Sequence, residues 1–380
     1  MSGPILITGA RAPVAVDLAR AFAAAGHEVH LADSVTPWAA RWSRAARGRI
    51  HRLPPARQDF PAYAASLAHW VARHDPAFIV PTCEEVFYVA AAAARGGFAD
   101  RVFAPPLETL RTLHSKLLFA SFARSIGLAA PNTWPIRSRA DLDALGRAPG
   151  ELVLKPEYSR FGTETLVRPS AAALRRFAPA PGRYWVAQNF VAGEEICLWS
   201  AARNGRIVAS AAYRPAWRHR RAAAFAFERV DLPAAEAVAA RVAEATGMTG
   251  HLSFDLIVTP EGEAVPIECN PRAVSGLHLF DCGADLARAL TGEGPPVRPS
   301  ADLRYLAPAM ALLGPMAGGW RVLAADWRRG ADSLGRPGDR APAFGALLDA
   351  ARFALAGLAS RHGPTGQTTV DIEWNGEPLA

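Results

Sequence analysis

The sequence predicts an open α/β unit followed by an α+β body. Three stretches carry that prediction. "PILITGA", "VAVDLARAFAAAG" and "HEVHLADS" run strand, helix, strand at the start of the chain, the order that builds a parallel sheet. "YWVAQNFVAGEEICLWSAARNGRIVASAAYRP" alternates like antiparallel strands, with Asn204–Gly205 at a turn. "HLSFDLIVTPEGEAVPIECNPR", residues 251–272, reads as a hairpin turning at "PEGE".

In chain order, Gly26 closes the first helix and Asp33 ends the second strand. "FPAYAASLAHWVARHD" is an amphipathic helix, and "PAFIVPTCEE" a buried strand with its polar residues at the carboxyl end. "LRTLHSKLLFASFARSIGLAAPNTWPI" reads as a helix, a Gly stop and a Pro-marked turn. "ELVLKPEYSRFGTETLVR" reads as strand, glycine-containing loop, strand, and "PAAEAVAARVAEATG" as a helix. From about residue 295, Pro-rich loops surround one helix, "FGALLDAARFALAGLASRHG", and a final strand-like "TTVDIEW".

The 380 residues suffice for two or three domains with real cores. The net charge of +7 comes mostly from scattered Arg. There is no Lys-rich tail and no nucleic-acid module, so no nucleic-acid partner is expected. Cys83, Cys197, Cys269 and Cys282 form no C-x-x-C pair, which argues against a zinc site or disulfide framework. The N-terminus lacks the charged and apolar regions of a signal peptide. "YLAPAMALLGPMAGGW" is broken by Pro and Gly and is short of a membrane span. A cytoplasmic protein without a membrane partner is expected.

The hairpin holds the chemistry. Side chains alternate along a strand, so Glu268 and Asn270 share a face and Cys269 takes the other. Asp255, on the neighbouring strand, can face the same side. Two carboxylates and one amide carbonyl are hard oxygen ligands that suit Mg²⁺; the alternative is a hairpin with solvated polar residues. Lys155 ends the strand "LVLKP" beside the loop "YSRFGTE", where charge and backbone N–H groups can hold phosphate. Alone, it reads as an ordinary surface lysine. In "VAQNFVAGEE", extended backbone can read an adenine edge, and Glu195 can accept from ribose hydroxyls.

With these pieces in this order, the sequence resembles the ATP-grasp superfamily over roughly residues 5–292. The branch is the one similar to carbamoyl-phosphate synthase large-subunit domains. The resemblance implies a Rossmann-like pre-ATP-grasp domain over 1–110 and an ATP-grasp domain over 111–295. The latter has a lid part at about 111–190 and a metal-binding part at about 191–295, and residues 296–380 form an extension packed on the ATP-grasp body. It places metal ligands on Asp255, Glu268 and Asn270, and phosphate lysines on Lys116 and Lys155. The glycine loop falls on Ser159, Arg160, Gly162 and Thr163, and the adenine hinge on Gln188, Asn189, Phe190 and Val191. Glu195 takes the ribose, and Arg272 faces the transferring phosphate and the substrate. The cofactors implied are ATP and Mg²⁺, with Mn²⁺ able to substitute. The reaction implied is carboxylate activation as an acylphosphate and capture by an amine, releasing ADP. The partners are a small-molecule carboxylate and amine, with a homodimer allowed. A carbamoyl-phosphate-type reaction on bicarbonate and a non-catalytic ATP-binding role are the alternatives. The sequence departs from the family at Gln188 and Asn189, where Glu and Lys or Glu are usual, and at a loop with the single Gly162.

Other features stay open. "ITGARAPVA" has only Gly9 of the three glycines a dinucleotide fingerprint needs. Glu84 and Glu85 follow a strand end and read as substrate-recognition groups or as charge at a helix N-terminus. Cys83 has no His partner placed by sequence, which argues against a nucleophile. Arg214, Arg218, His219, Arg220 and Arg221 read as a solvated loop or as a grip on anionic substrate, with Arg214 nearest the strand. Ser275, Gly276 and His278 follow Arg272 and fall around the acceptor substrate or serve packing.

Overall fold

The computed structural model describes residues 3–47, 49–158, 164–180, 182–218, 224–358 and 366–379. Among these, the strands form three sheets. The first is parallel: β1 (Ile5–Thr8), β2 (Val29–Asp33), β3 (Ile50–Arg52) and β4 (Phe78–Pro81), in spatial order β3-β2-β1-β4. Helices α1 (Val14–Ala24), α2 (Trp38–Arg41), α3 (Phe60–His74) and α4 (Val86–Gly96) connect and cover it. Both faces are covered, so β1, β2 and β4 are buried at every residue.

Helices α5 (Leu107–His114) and α6 (Lys116–Ser125) lead into the second sheet. Ser115 caps α6, its hydroxyl accepting from the Leu118 N–H. The second sheet holds β5 (Thr133–Ile136), β6 (Leu152–Pro156), β7 (Leu166–Val167) and β8 (Trp185–Asn189), in order β5-β8-β6-β7, with α7 (Arg139–Ala144) and α8 (Ala171–Arg176) alongside. The third sheet joins β9 (Glu194–Arg203), β10 (Arg206–Arg218), β11 (Ala224–Val230), β12 (Gly250–Val258), β13 (Ala264–Asn270), β14 (Leu303–Tyr305) and β15 (Ala331–Asp332), in order β13-β12-β9-β10-β11-β14-β15. Helix α9 (Pro233–Thr246) packs on one face, and α10 (Ala284–Thr291) packs on the other against the central strands β9 and β10 and against α1. The β9–β10 hairpin turns at Asn204 and Gly205, both with positive φ, as a two-residue turn of the right twist requires. One continuous core runs from Ile5, Ile7 and Phe22 through Leu277 and Phe280 to Trp199 and Phe227. It ties the parallel sheet to the largest one.

The C-terminal region differs from expectation in two ways. Its described residues include the helices α11 (Ala307–Ala317), α12 (Trp320–Arg329) and α13 (Ala341–Leu358). The prolines and glycines of "YLAPAMALLGPMAGGW" do not prevent α11, because Pro308 lies in its first turn and Pro315 near its end. The final "TTVDIEW" forms turns instead of a strand. Its alternating acids are taken by arginines, Asp371 by Arg11 and Glu373 by Arg57, while Trp374 stacks on Phe87 at 4.8 Å. The region packs on both the third sheet and the N-terminal unit. α11 packs on β10 and β11, but α13 lies along α2 and the tail lies on the N-terminal unit. α13 is long and apolar enough to cross a membrane, with a mean hydropathy of 1.3. It is nonetheless pinned to the N-terminal unit: Asp349 accepts from the Trp38 and Ala39 N–H groups, and Arg352 donates to the Thr36 carbonyl.

Candidate active site

Asp255 and Glu268 face each other directly across the β12–β13 ladder, and Ser253 faces Asn270. The register then slips: Leu256 pairs with Pro266, so Ile267 is an extra residue in β13. This bulge allows Ile267 and Glu268, neighbours in sequence, both to line the same cavity with Asn270, Asp255 and Ile257. It also frees the Ile267 carbonyl, which accepts from Lys155 Nζ at 3.0 Å and from Gln188 Nε2 at 3.5 Å. The second and third sheets are thus joined at the bulge.

The hairpin carboxylates differ electrostatically. Burial and the adjacent Glu268 push Asp255 up to about 6. Burial would also raise Glu268, but Lys116, at 3.3 Å, and Lys155 hold it below its ordinary value. Lys116 is 1 % exposed and sits behind Glu268, outside the cavity lining. Lys155 lines the cavity, and its burial lowers it to about 8 against the opposing pull of Glu268. Two carboxylates forced together with one of them raised make a site that a divalent cation would relieve. The donor set of Asp255, Glu268 and the Asn270 amide fits Mg²⁺, which takes few protein oxygens and completes its shell from phosphate and water.

Gln188, Asn189, Phe190 and Val191 follow in the lining, with Glu195 beyond them. The Gln188 amide also donates to Thr133 Oγ1 at 3.1 Å, so its side chain is committed to the second sheet. Val153 and Val167, opposite each other across β6 and β7, join Ile257 and Ile267 as apolar walls. A flat aromatic base fits between such walls. Glu195 pairs with Arg218 at 3.0 Å. Ser159, Arg160, Gly162 and Thr163 lie outside the described residues, as do His219, Arg220 and Arg221.

Arg272 marks the far side of the hairpin. Its N–H bonds to the Asn270 carbonyl and its own carbonyl accepts from Ser253 Oγ at 2.7 Å, fixing the turn. The guanidinium donates to Glu84 Oε1 at 3.2 Å and Asn270 Oδ1 at 3.3 Å. Glu84 comes from the end of β4, so this pair joins the N-terminal sheet to the hairpin. The cavity, about 1050 Å³, continues past Arg272 along Ser275 and His278. That is at the upper end of the range for small-molecule pockets.

No protein-family model matches the sequence, and no curated protein does. Solved structures do match. The L-amino acid ligase from Bacillus licheniformis is similar with a TM-score of 0.56 and 16% identity, over 77% of this chain and 76% of that chain. The N5-carboxyaminoimidazole synthetase from Staphylococcus aureus, complexed with ADP, gives a TM-score of 0.61 and 14% identity over 79% and 80%. The biotin carboxylase domain of the Hydrogenobacter thermophilus 2-oxoglutarate carboxylase is a dimer in complex with MgADP, ADP and bicarbonate. It gives a TM-score of 0.59 and 12% identity over 79% and 72%. The chain has the ATP-grasp fold.

Several expected residues are committed to structural contacts, some beside the cavity and some away from it. Glu85 is buried beneath Gly9, where a Cβ would come within 2.4 Å of its carboxylate. It accepts from Thr8 Oγ1 and from the Thr82 and Cys83 N–H groups, and burial raises it to about 7 despite those bonds. It ties the β1 and β4 ends together and does not line the cavity. Gly9 serves this close approach rather than a dinucleotide. Arg214 points away from the cavity, between Glu194 and Glu228; Arg218 lines it instead, after register shifts at Trp217. Gly276 is a packing residue, with a Cβ there 2.7 Å from Trp199. His278 binds Asp17, whose burial would raise it but which His278 and Arg336 hold down at about 2. Cys83 lines the cavity, and burial pushes its thiol up to about 12, unsuited to nucleophilic work. Arg11, missed from sequence, also lines the ATP-grasp cavity, held by Asp33 at 2.6 Å and Asp371 at 2.5 Å.

Proposed function

We propose that this protein is an ADP-forming ligase that phosphorylates a carboxylate with Mg–ATP and transfers the acyl group to an amine. The observation that carries the reading is the junction in the cavity: Asp255 and Glu268 face each other, with Lys155 on one side and Arg272 on the other. ATP would lie between the second and third sheets, along Val153, Val167 and the Gln188–Val191 segment. Asp255, Glu268 and Asn270 would hold Mg²⁺, which when bound neutralises phosphate charge. Lys155 offers a cation to the phosphates, and Lys116 acts through Glu268 by keeping that carboxylate ionised.

In the first step a substrate carboxylate oxygen bonds to the γ-phosphorus. The β–γ bridging oxygen leaves with its electron pair on ADP. In the second, the amine attacks the acyl carbon, the carbon–oxygen bond to phosphate breaks, and phosphate leaves with that pair. The amine's extra proton passes to solvent. The protein's own part is placement and charge compensation, and Arg272 orients the carboxylate by parallel N–H bonds. Similarity to an L-amino acid ligase supports this reading over a binding-only role. A cytoplasmic location belongs to this reading, since ATP is its co-substrate.

Hydroxylamine trapping tests the proposal. ADP release should depend on a carboxylic acid, and that acid should be recovered as its hydroxamate. ADP release with bicarbonate alone, and no hydroxamate from any acid, would replace this reading with carbamoyl-phosphate-type chemistry.

A further inference from the structure

The chamber beyond Arg272 has walls of an unexpected kind. Pro308, Ala309, Leu312 and Leu313 of α11 line it, as do Ala346, Asp349, Ala350 and Phe353 of α13. Each set follows helical spacing and so forms one stripe on its helix. Val14, Phe227, Leu306 and Leu334 add apolar surface from other elements, and Ser275, Thr368 and Thr369 add the uncharged polar atoms. Leu312 both lines the chamber and is 60% exposed, which puts an opening beside it.

The charges in this wall are compensated internally. Arg11 is held by Asp33 and Asp371. Asp349 accepts two backbone N–H groups and pairs with Arg352 at 3.2 Å. Among the described lining residues beyond the hairpin, no cation lacks a carboxylate partner. A second anion on the substrate would therefore meet no uncompensated cation among these described residues, at a steep desolvation cost. An apolar chain would instead gain by burial along both stripes.

We propose that the carboxylate substrate is a monocarboxylic acid with a long apolar body. Its carboxylate lies at Arg272, and its body lies between α11 and α13. This rests on the ligase reading above for the carboxylate end, while the chamber's preference is a matter of binding.

The test separates the two. Calorimetry with MgADP-loaded protein should show one site for a straight-chain series from acetate to dodecanoate. Affinity should rise about 4-fold per methylene, equivalent to about 0.8 kcal/mol, until the chamber fills. Octanedioate should bind far more weakly than octanoate. Ala346→Trp, which fills the chamber, should reduce octanoate affinity at least 10-fold and leave MgADP affinity intact; Ala309→Trp repeats the test on the other helix. Hydroxamate formation is then followed over the same series. Affinity that is flat with chain length, a dioate that binds equally well, or chain binding unaffected by both tryptophans would overturn the inference, even if short acids support ADP release. Chain-length-dependent binding without hydroxamate would uphold the chamber assignment and overturn the ligase reading.

Discussion

Asp255 and Glu268 lie opposite each other in β12 and β13, yet only Glu268 has a buried lysine at contact distance, Lys116 at 3.3 Å. The pair is therefore unequal before any metal arrives. Removing either carboxylate should cut ADP formation by at least 100-fold, because Mg–ATP loses a ligand charge. Their effects on stability should have opposite signs. Asp255→Asn should stabilise the nucleotide-free protein by roughly 1–2 kcal/mol, since it removes a charge that is raised by burial and by its neighbour. Glu268→Gln should destabilise it by about 3 kcal/mol by leaving Lys116 without its carboxylate. Denaturant unfolding of both variants checks this, and a shared sign would contradict the assigned asymmetry.

Stability should also depend on pH in a defined window. Asp255 is raised from 3.8 to about 6 and Glu85 from 4.5 to about 7. Both folded groups hold their protons more tightly than the unfolded chain does. Their contribution is thus complete below about pH 4 and is lost as pH rises toward 7. Unfolding free energy measured from pH 4 to 8 should carry this downward component, and the Asp255→Asn variant should show less of it. MgADP should remove the Asp255 share, because the bound cation favours the ionised carboxylate.

Lys155 touches the Ile267 carbonyl and the cavity together. Lys155→Ala should lower ADP affinity by about 10- to 100-fold, in keeping with a charge-assisted phosphate contact. Adenosine affinity should change much less. Calorimetry with both ligands decides; equal losses would mean that the sheet junction, rather than phosphate binding, had been damaged.

Trp374 anchors the tail. It is 2% exposed, stacks on Phe87 and meets Tyr158 at 5.7 Å. Trp374→Ala should cost about 3–5 kcal/mol and raise hydrogen exchange over 366–379. Asp371 would lose its place against Arg11 in the same event. Unchanged exchange in the tail would show that the Arg11 and Arg57 ion pairs hold it without the ring.

Elements whose signal is local are legible in the chain's residue order. The strand–helix–strand start is read from apolar runs and a terminating glycine. The shared face of Glu268 and Asn270 follows from the period of a strand, and the Asn204–Gly205 turn from backbone sterics. Tertiary structure decided everything that depends on where a distant segment returns. Glu84 and Glu85 are adjacent and chemically alike; docking against Arg272 gave one the cavity, and the approach of Gly9 buried the other. Arg218 displaced Arg214 because register shifts break the alternation that links a residue's number to its face. The Ile267 bulge left no trace in so short a strand. The walls of the second chamber come from α11 and α13, far along the chain from Arg11 and Val14. Periodicity reports the sterics of neighbouring residues. A charge finds its counter-ion, and a helix stripe its cavity, only when burial brings remote segments together.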